Sequence, residues 1–145
     1  MIVDALDEDI VRELAKEKSS LKELSKKLGI PLSTLHSRIK RLEKEGIIKR
    51  YRAEVAWERL GYTITAYVLI YVDTTKLKEL RISQEKIREK IKKFPFVEEC
   101  RIIAGEADLI AKIRARTTSE LGKFLTSYIQ QIKGVVKTKS IICLD

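Results

Sequence analysis

Asparagine is missing from this chain altogether, and cysteine, proline and histidine are scarce: Cys100 and Cys143, Pro31 and Pro95, and His36 alone. Each shortage closes a class. Two isolated thiols build neither a disulfide framework nor a thiolate metal centre, and one imidazole cannot complete a zinc site. No glycine-rich phosphate cradle and no nucleophile beside a base can be found, so nothing points to an enzyme or to a cofactor. No apolar run approaches the ~18 residues of a membrane span. The acidic opening MIVDALDED also lacks the positive start of a secretory signal. The expectation is a cytoplasmic protein with reduced thiols and no membrane partner.

Charge is what the chain has in plenty. Its 145 residues are 35% charged and 44% hydrophobic, with a net charge of +9 and a pI near 9.6. That is a globular composition, long enough for one ordinary domain or two very small ones. The abundance of Lys and Glu without Asn suits a thermophile. The basic excess is uneven: residues 1–19 hold about 3 Lys/Arg against about 6 Asp/Glu, whereas residues 20–52 hold about 10 against about 3. A local concentration of this kind favours nucleic acid, with a merely solvated basic face as the plain alternative.

Residues 19–51, SSLKELSKKLGIPLSTLHSRIKRLEKEGIIKRY, read as two short amphipathic helices joined by a turn containing Gly29 and Pro31. A first helix precedes them, from Asp4 to about Lys18, with Asp4 as cap, Asp7 in its first turn and Leu6, Ile10 and Leu14 as its buried stripe. The second opens on the capping box Ser20–Glu23 and buries Leu21, Leu24 and Leu28; Gly29 ends it. The third is expected to be capped by Ser33, to bury Leu35, Ile39 and Leu42, and to stop at Gly46. Its outer arc would present Ser33, Thr34, Ser37, Arg38, Lys40, Arg41 and Lys44, with His36 at the edge. That is the form of a helix-turn-helix, which lays a basic helix in the DNA major groove.

Residues 47–61 read as an extended linker and 62–145 as a second domain. Strands are expected over 62–73, about 97–104, 107–116 and 135–143, with helices over 83–94 and from the capping box Thr117–Glu120 onward. The order β-α-β-β-α-β is the ferredoxin-like split fold, an antiparallel sheet with both helices on one face. Yet the first strand is apolar on both sides: Ile64, Ala66, Val68, Ile70 and Val72 on one, Tyr67, Leu69 and Tyr71 on the other. A sheet covered once should alternate apolar with polar, so the second side asks for a partner, the same sheet of another copy. An aromatic-rich but solvated face is the other reading. Two recognition helices of a dimer would enter successive major grooves about 34 Å apart.

The opening D-x-x-D, the string LSTLHSRIKRLEKEGIIKRY, the Leu60-Gly61-Tyr62 junction and AGEAD between the second and third strands resemble the Lrp/AsnC (leucine-responsive, feast/famine) transcription regulators, of archaeal or thermophilic type. The resemblance spans essentially the whole chain. It implies an α+β protein: an N-terminal three-helix winged helix-turn-helix over 1–46, and a C-terminal ferredoxin-like βαββαβ domain for dimerisation and effector sensing. It implies a sequence-specific regulator binding double-stranded DNA as a homodimer, with tetramers or octamers as further assemblies, and an amino acid as effector. An architectural, nucleoid-type protein with little sequence preference is the alternative. Carried over by position, Ser33, Thr34, Ser37 and Arg38 would approach bases, Lys40, Arg41, Lys49 and Arg50 phosphates, and His36 either the backbone or solvent. The effector would meet Gly105, Glu106, Ala107 and Asp108, where relatives bind small molecules. The same residues also read as a two-residue hairpin turn with Gly105 first, and Ala104 and Leu109 depart from the family pattern.

Overall fold

The computed structural model describes residues 2–16 and 20–145, which divide into two compact units, 1–54 and 55–145. The second half of the expected linker thus goes with the C-terminal unit.

The N-terminal unit holds α1 (Ala5–Lys16), α2 (Leu21–Leu28) and α3 (Leu32–Lys44). The expected end of α1 at Lys18 lies outside the described residues. Asp4 and Asp7 cap α1 reciprocally: Asp7 N–H donates to Asp4 Oδ1 (2.8 Å) and Asp4 N–H to Asp7 Oδ2 (3.2 Å). Two otherwise orphaned donors are satisfied at once, as in a capping box. Ser20 Oγ caps α2 by accepting from Glu23 N–H (3.1 Å). Gly29, at φ +65°, closes α2 in the left-handed conformation that costs glycine least. The expected Ser33 cap is corrected. Pro31, extended at φ −61° and ψ 145°, takes that place without a side-chain bond. Its carbonyl accepts the first helical hydrogen bond, from Leu35 N–H (3.1 Å), so the helix begins ahead of Ser33. Ile10, Leu24, Leu35, Ile39 and Leu42 form the core, with Leu6, Leu14, Leu21 and Leu28 partly buried around it. Past α3, residues 49–56 form no strand, and the Tyr51 hydroxyl folds back to donate to Glu43 (2.8 Å).

The C-terminal unit runs β1 (Ile64–Val72), α4 (Thr74–Leu80), α5 (Gln84–Lys92), β2 (Val97–Ile102), β3 (Leu109–Ala115), α6 (Thr118–Ser127) and β4 (Val135–Ile142). The first crossover therefore holds two helices where one was expected. Asp73 accepts from Lys76 N–H (3.1 Å) to start α4, and Leu77 anchors it. The sheet order is β2-β3-β1-β4, all antiparallel, with β1 and β3 central. Ala66, Val68, Ile70 and Val72 of β1 and Leu109, Ala111 and Ile113 of β3 are buried with Ile87, Ile91, Leu121, Phe124 and Leu125 of the helices. One face of the sheet is covered by helices, and the other is left without a layer within the unit. Cys100 on β2 and Cys143 just after β4 belong to opposite edges, and both thiols are free.

Candidate nucleic-acid interface and ligand turn

On α3 the buried residues Leu35, Ile39 and Leu42 lie within about 60° of one another at 100° per residue. Ser33, Ser37, Lys40 and Lys44 fall about 140–200° from Leu35 on the same count, and all four are exposed. His36 is exposed at the edge of that arc, and Thr34 is half-buried at its other side. Among the described residues none of these side chains is engaged in an ion pair. Lys49 and Arg50, beyond the helix, are exposed as well.

Arg38 and Arg41 are placed differently from the rest. Position 38 stands only about 60° from Leu35 on the helical wheel, at the rim of the buried stripe, not opposite it. Its Nη1 donates to Asp4 Oδ2 (2.6 Å), Asp4 Oδ1 (2.7 Å) and Asp7 Oδ1 (3.0 Å). Arg41 Nη2 donates to Asp7 Oδ2. Asp7 is 0% exposed, whereas the Arg38 side chain is 27% and Asp4 50% exposed. The hydrogen bonds from Arg38, and then the one from the Asp7 backbone, hold the Asp4 carboxyl down at about 2 against its ordinary 3.8. The same two carboxylates raise Arg38. Both arginines, read from the sequence as DNA contacts, are thus partnered within the unit. The reading missed Asp4 and Asp7 as part of this constellation. The signal was available, since two capping carboxylates one turn apart must satisfy more acceptor positions than two backbone N–H groups fill.

At the second candidate site, Ile103 N–H donates to the Asp108 carbonyl (2.9 Å) and closes a loop with Ala104, Gly105, Glu106 and Ala107 between them. The two-residue hairpin reading is corrected: the connection is wider, with Gly105 at φ +141°, a region that favours glycine. Asp108 is tied to β1 twice, its N–H donating to the Ile70 carbonyl (3.1 Å) and its Oδ2 accepting from Val72 N–H (2.9 Å). That carboxylate extends the ladder where the backbone pairing of β3 ends. Ala107 is buried. Glu106 alone of the four offers an exposed charge, and it leans over the open face of the sheet. Its Oε1 accepts from the Tyr71 hydroxyl (3.3 Å) and from Lys139 Nζ (3.4 Å). Tyr71 and Glu106 together raise Lys139.

The open face itself carries Thr65, Tyr67, Leu69 and Tyr71 of β1, flanked in register by Ile110, Lys112 and Arg114 of β3 and by Lys137, Lys139 and Ile141 of β4. Tyr67 is 38% and Ile141 54% exposed. Lysines line its aromatic rings: Lys112 lies 5.9 Å from the Tyr67 centroid and Lys137 4.6 Å from that of Tyr71. At one end Arg114 stands 5.3 Å from the ring of Trp57, a residue of the expected linker, while its guanidinium donates to Thr65 (3.1 Å) and pairs with Glu98 (2.8 Å).

Among the described residues no helix is long and apolar enough to cross a membrane, and no group of His, Cys, Asp and Glu could hold a metal ion. Comparison with known proteins agrees with the two-unit architecture. Residues 3–49 match the winged helix-turn-helix DNA-binding domain, and residues 65–145 match the Lrp/AsnC ligand binding domain. An uncharacterized HTH-type transcriptional regulator of Pyrococcus abyssi is 38% identical, covering 99% of this chain and 94% of its own length. The HTH-type transcriptional regulator FL11 of Pyrococcus furiosus is also 38% identical, over 99% of this chain and 90% of its own. Among solved structures, LrpC of B. subtilis superposes with a TM-score of 0.79 at 27% identity, covering 100% of this chain and 96% of that one. The unit carrying α3 binds DNA, the C-terminal unit is a ligand-binding domain, and neither is an enzyme. The chain belongs to the Lrp/AsnC family of helix-turn-helix transcriptional regulators.

Proposed function

We propose that this regulator is sequence-specific, that it acts as a two-fold dimer or a higher assembly of dimers, and that a small molecule such as an amino acid modulates it. The observation that carries the dimer is the uncovered sheet face centred on Tyr67, Leu69, Tyr71 and Ile110. Central strands with apolar side chains on both faces need a second layer. A copy of the same sheet, related by a two-fold axis, supplies one with matching chemistry. Lysines over tyrosine rings keep such a face wet in the free protomer and give it cation–π partners in the pair. Leu69→Glu puts a carboxylate at its centre. Sedimentation should then show a monomer, and an unchanged dimer would exclude this face as the interface.

For DNA, the exposed Ser33, His36 and Ser37 and the half-buried Thr34 are the side chains we assign to the bases, with Lys40, Lys49 and Arg50 on phosphates. Compact footprints on particular promoters at physiological salt are the expected result. One observation favours the second reading, an architectural protein with little preference: Arg38 and Arg41 are engaged with Asp4 and Asp7, which leaves lysines as the free cations of α3. Uniform protection along any duplex would decide for it. At the ligand turn, Glu106 is our candidate for an effector's ammonium and the Gly105 backbone for its carboxylate. Asp108 serves as the strut that holds the loop to β1. Calorimetric titration with the protein amino acids tests this, and Glu106→Gln should abolish any binding found.

A further inference from the structure

Asp7 is the one charged side chain fully buried among the described residues, and it sits under the recognition helix. Its two oxygens serve Asp4 N–H, Arg38 and Arg41. With Asp4 it neutralises both guanidiniums of a helix whose remaining cations are lysines. That is a costly arrangement for a DNA-binding surface, because Arg is the residue suited to bidentate pairing with phosphate or guanine. The two carboxylates do not hold their partners equally firmly. Breaking the Asp7 contacts would strand a charge that water cannot reach. Asp4 is half exposed, and its grip on Arg38 Nη1 (2.6 and 2.7 Å) is of the kind a DNA phosphate oxygen offers.

We propose that Asp4 is a specificity-determining residue acting through Arg38: its carboxylate occupies the guanidinium in place of a DNA phosphate. Binding to arbitrary sequence comes almost wholly from neutralising phosphates. Withholding one arginine therefore weakens the non-specific complex most, and the side chains on the outer arc of α3 carry a larger share of the discrimination. Arg38 is in this sense a cation held in reserve. The inference rests on the reading that α3 faces DNA, and it deepens that reading.

The test uses the full chain, a random-sequence duplex, and the variants Asp4→Asn and Asp4→Ser. Asn and Ser both cap helices well, so the bond to Asp7 N–H is kept while the charge goes; circular dichroism verifies the helical unit. Asp4→Asn should bind random duplex more tightly than the unmutated chain. One additional phosphate contact steepens the salt dependence by about 0.9 in log–log slope, so the advantage should shrink roughly 3–4-fold between about 50 and 200 mM salt. In an Arg38→Ala background the steepening should vanish, which separates it from the mere removal of a negative charge near DNA. An unchanged slope, weaker binding, or a steepening that survives Arg38→Ala overturns the proposal. Loss of the helical unit in both Asp4 variants overturns it too, since the carboxylate would then be a folding element. If no form of the chain binds random duplex, the DNA reading fails along with it; binding by the unmutated chain with an unmoved slope sinks the proposal alone.

Discussion

Leu35→Ala should strongly destabilise the DNA-binding unit while the sheet unit keeps its stability. Leu35 is fully buried, and among the described residues the core around it holds Ile10, Leu24, Ile39 and Leu42 as further buried apolar side chains. Truncating a buried leucine removes its transfer free energy and leaves a cavity, together about 2–5 kcal/mol. At roughly 0.05–0.15 kcal/mol per residue, a unit of 54 residues has about 3–8 kcal/mol in all. The loss is thus a large share of what the unit has. Among the described residues this core and the core of residues 55–145 share no member, so the lost packing belongs to the first unit's core. Native-state hydrogen exchange reads the two separately. Slowest-exchanging amides of α1–α3 should lose about two powers of ten in protection, the equivalent of about 3 kcal/mol, while those of β1 and β3 keep theirs. DNA binding should fall and self-association should persist. Equal loss of protection in both halves would refute the independence of the two cores; no loss in either would refute the packing described for Leu35.

Three further outcomes are expected. Gly134 has φ +98°, and a Cβ there would lie 2.4 Å from Leu77 Cδ2, so Gly134→Ala should cost about 2–4 kcal/mol and lower the thermal midpoint; an unmoved midpoint refutes the close approach. Burial pushes the Cys100 thiol up to about 11 against the weaker opposing pull of Arg88 and Lys92. A thiol reagent at neutral pH should therefore count one reactive group, Cys143, and a second only in denaturant, whereas two fast groups would contradict the burial of Cys100. Asp4, depressed to about 2 from 3.8, contributes stability that is present above pH 3.8 and lost as pH falls towards 2. Asp4→Asn should flatten the acid limb of the stability profile in that window, and an unaltered limb would show that Arg38 does not hold the carboxylate.

The elements legible beforehand were those whose signal is periodic and local. Leu35, Ile39 and Leu42 could be placed inside because their spacing permits only one buried stripe. The apolar second side of β1 was visible for the same reason, in Tyr67, Leu69 and Tyr71. What escaped was short or depended on distant chain. α4 has seven residues with Leu77 as its buried anchor, too few for a periodicity to show, although Asp73 was a cap in plain sight. Pro31 displaced Ser33 as the cap because a carbonyl, not a hydroxyl, decides where the first helical bond falls. The turn after β2 widened beyond two residues because Asp108 is claimed by β1, some three dozen positions upstream.

The arginines mark the boundary most sharply. Sequence alone determined that a basic helix follows a turn, that it has a buried and an exposed side, and that a sheet with an unpaired face comes after it. Those are consequences of residue type and of the 3.6- and 2-residue repeats, which act within one element. Only the tertiary structure decided that Arg38 and Arg41 turn toward Asp4 and Asp7, 31 and 34 positions away, and not outward beside Ser37 and Lys40. A guanidinium at the rim of a buried stripe takes whichever anion the packing brings within about 3 Å. No pattern along the chain carries that information, because it is created when α1 and α3 meet.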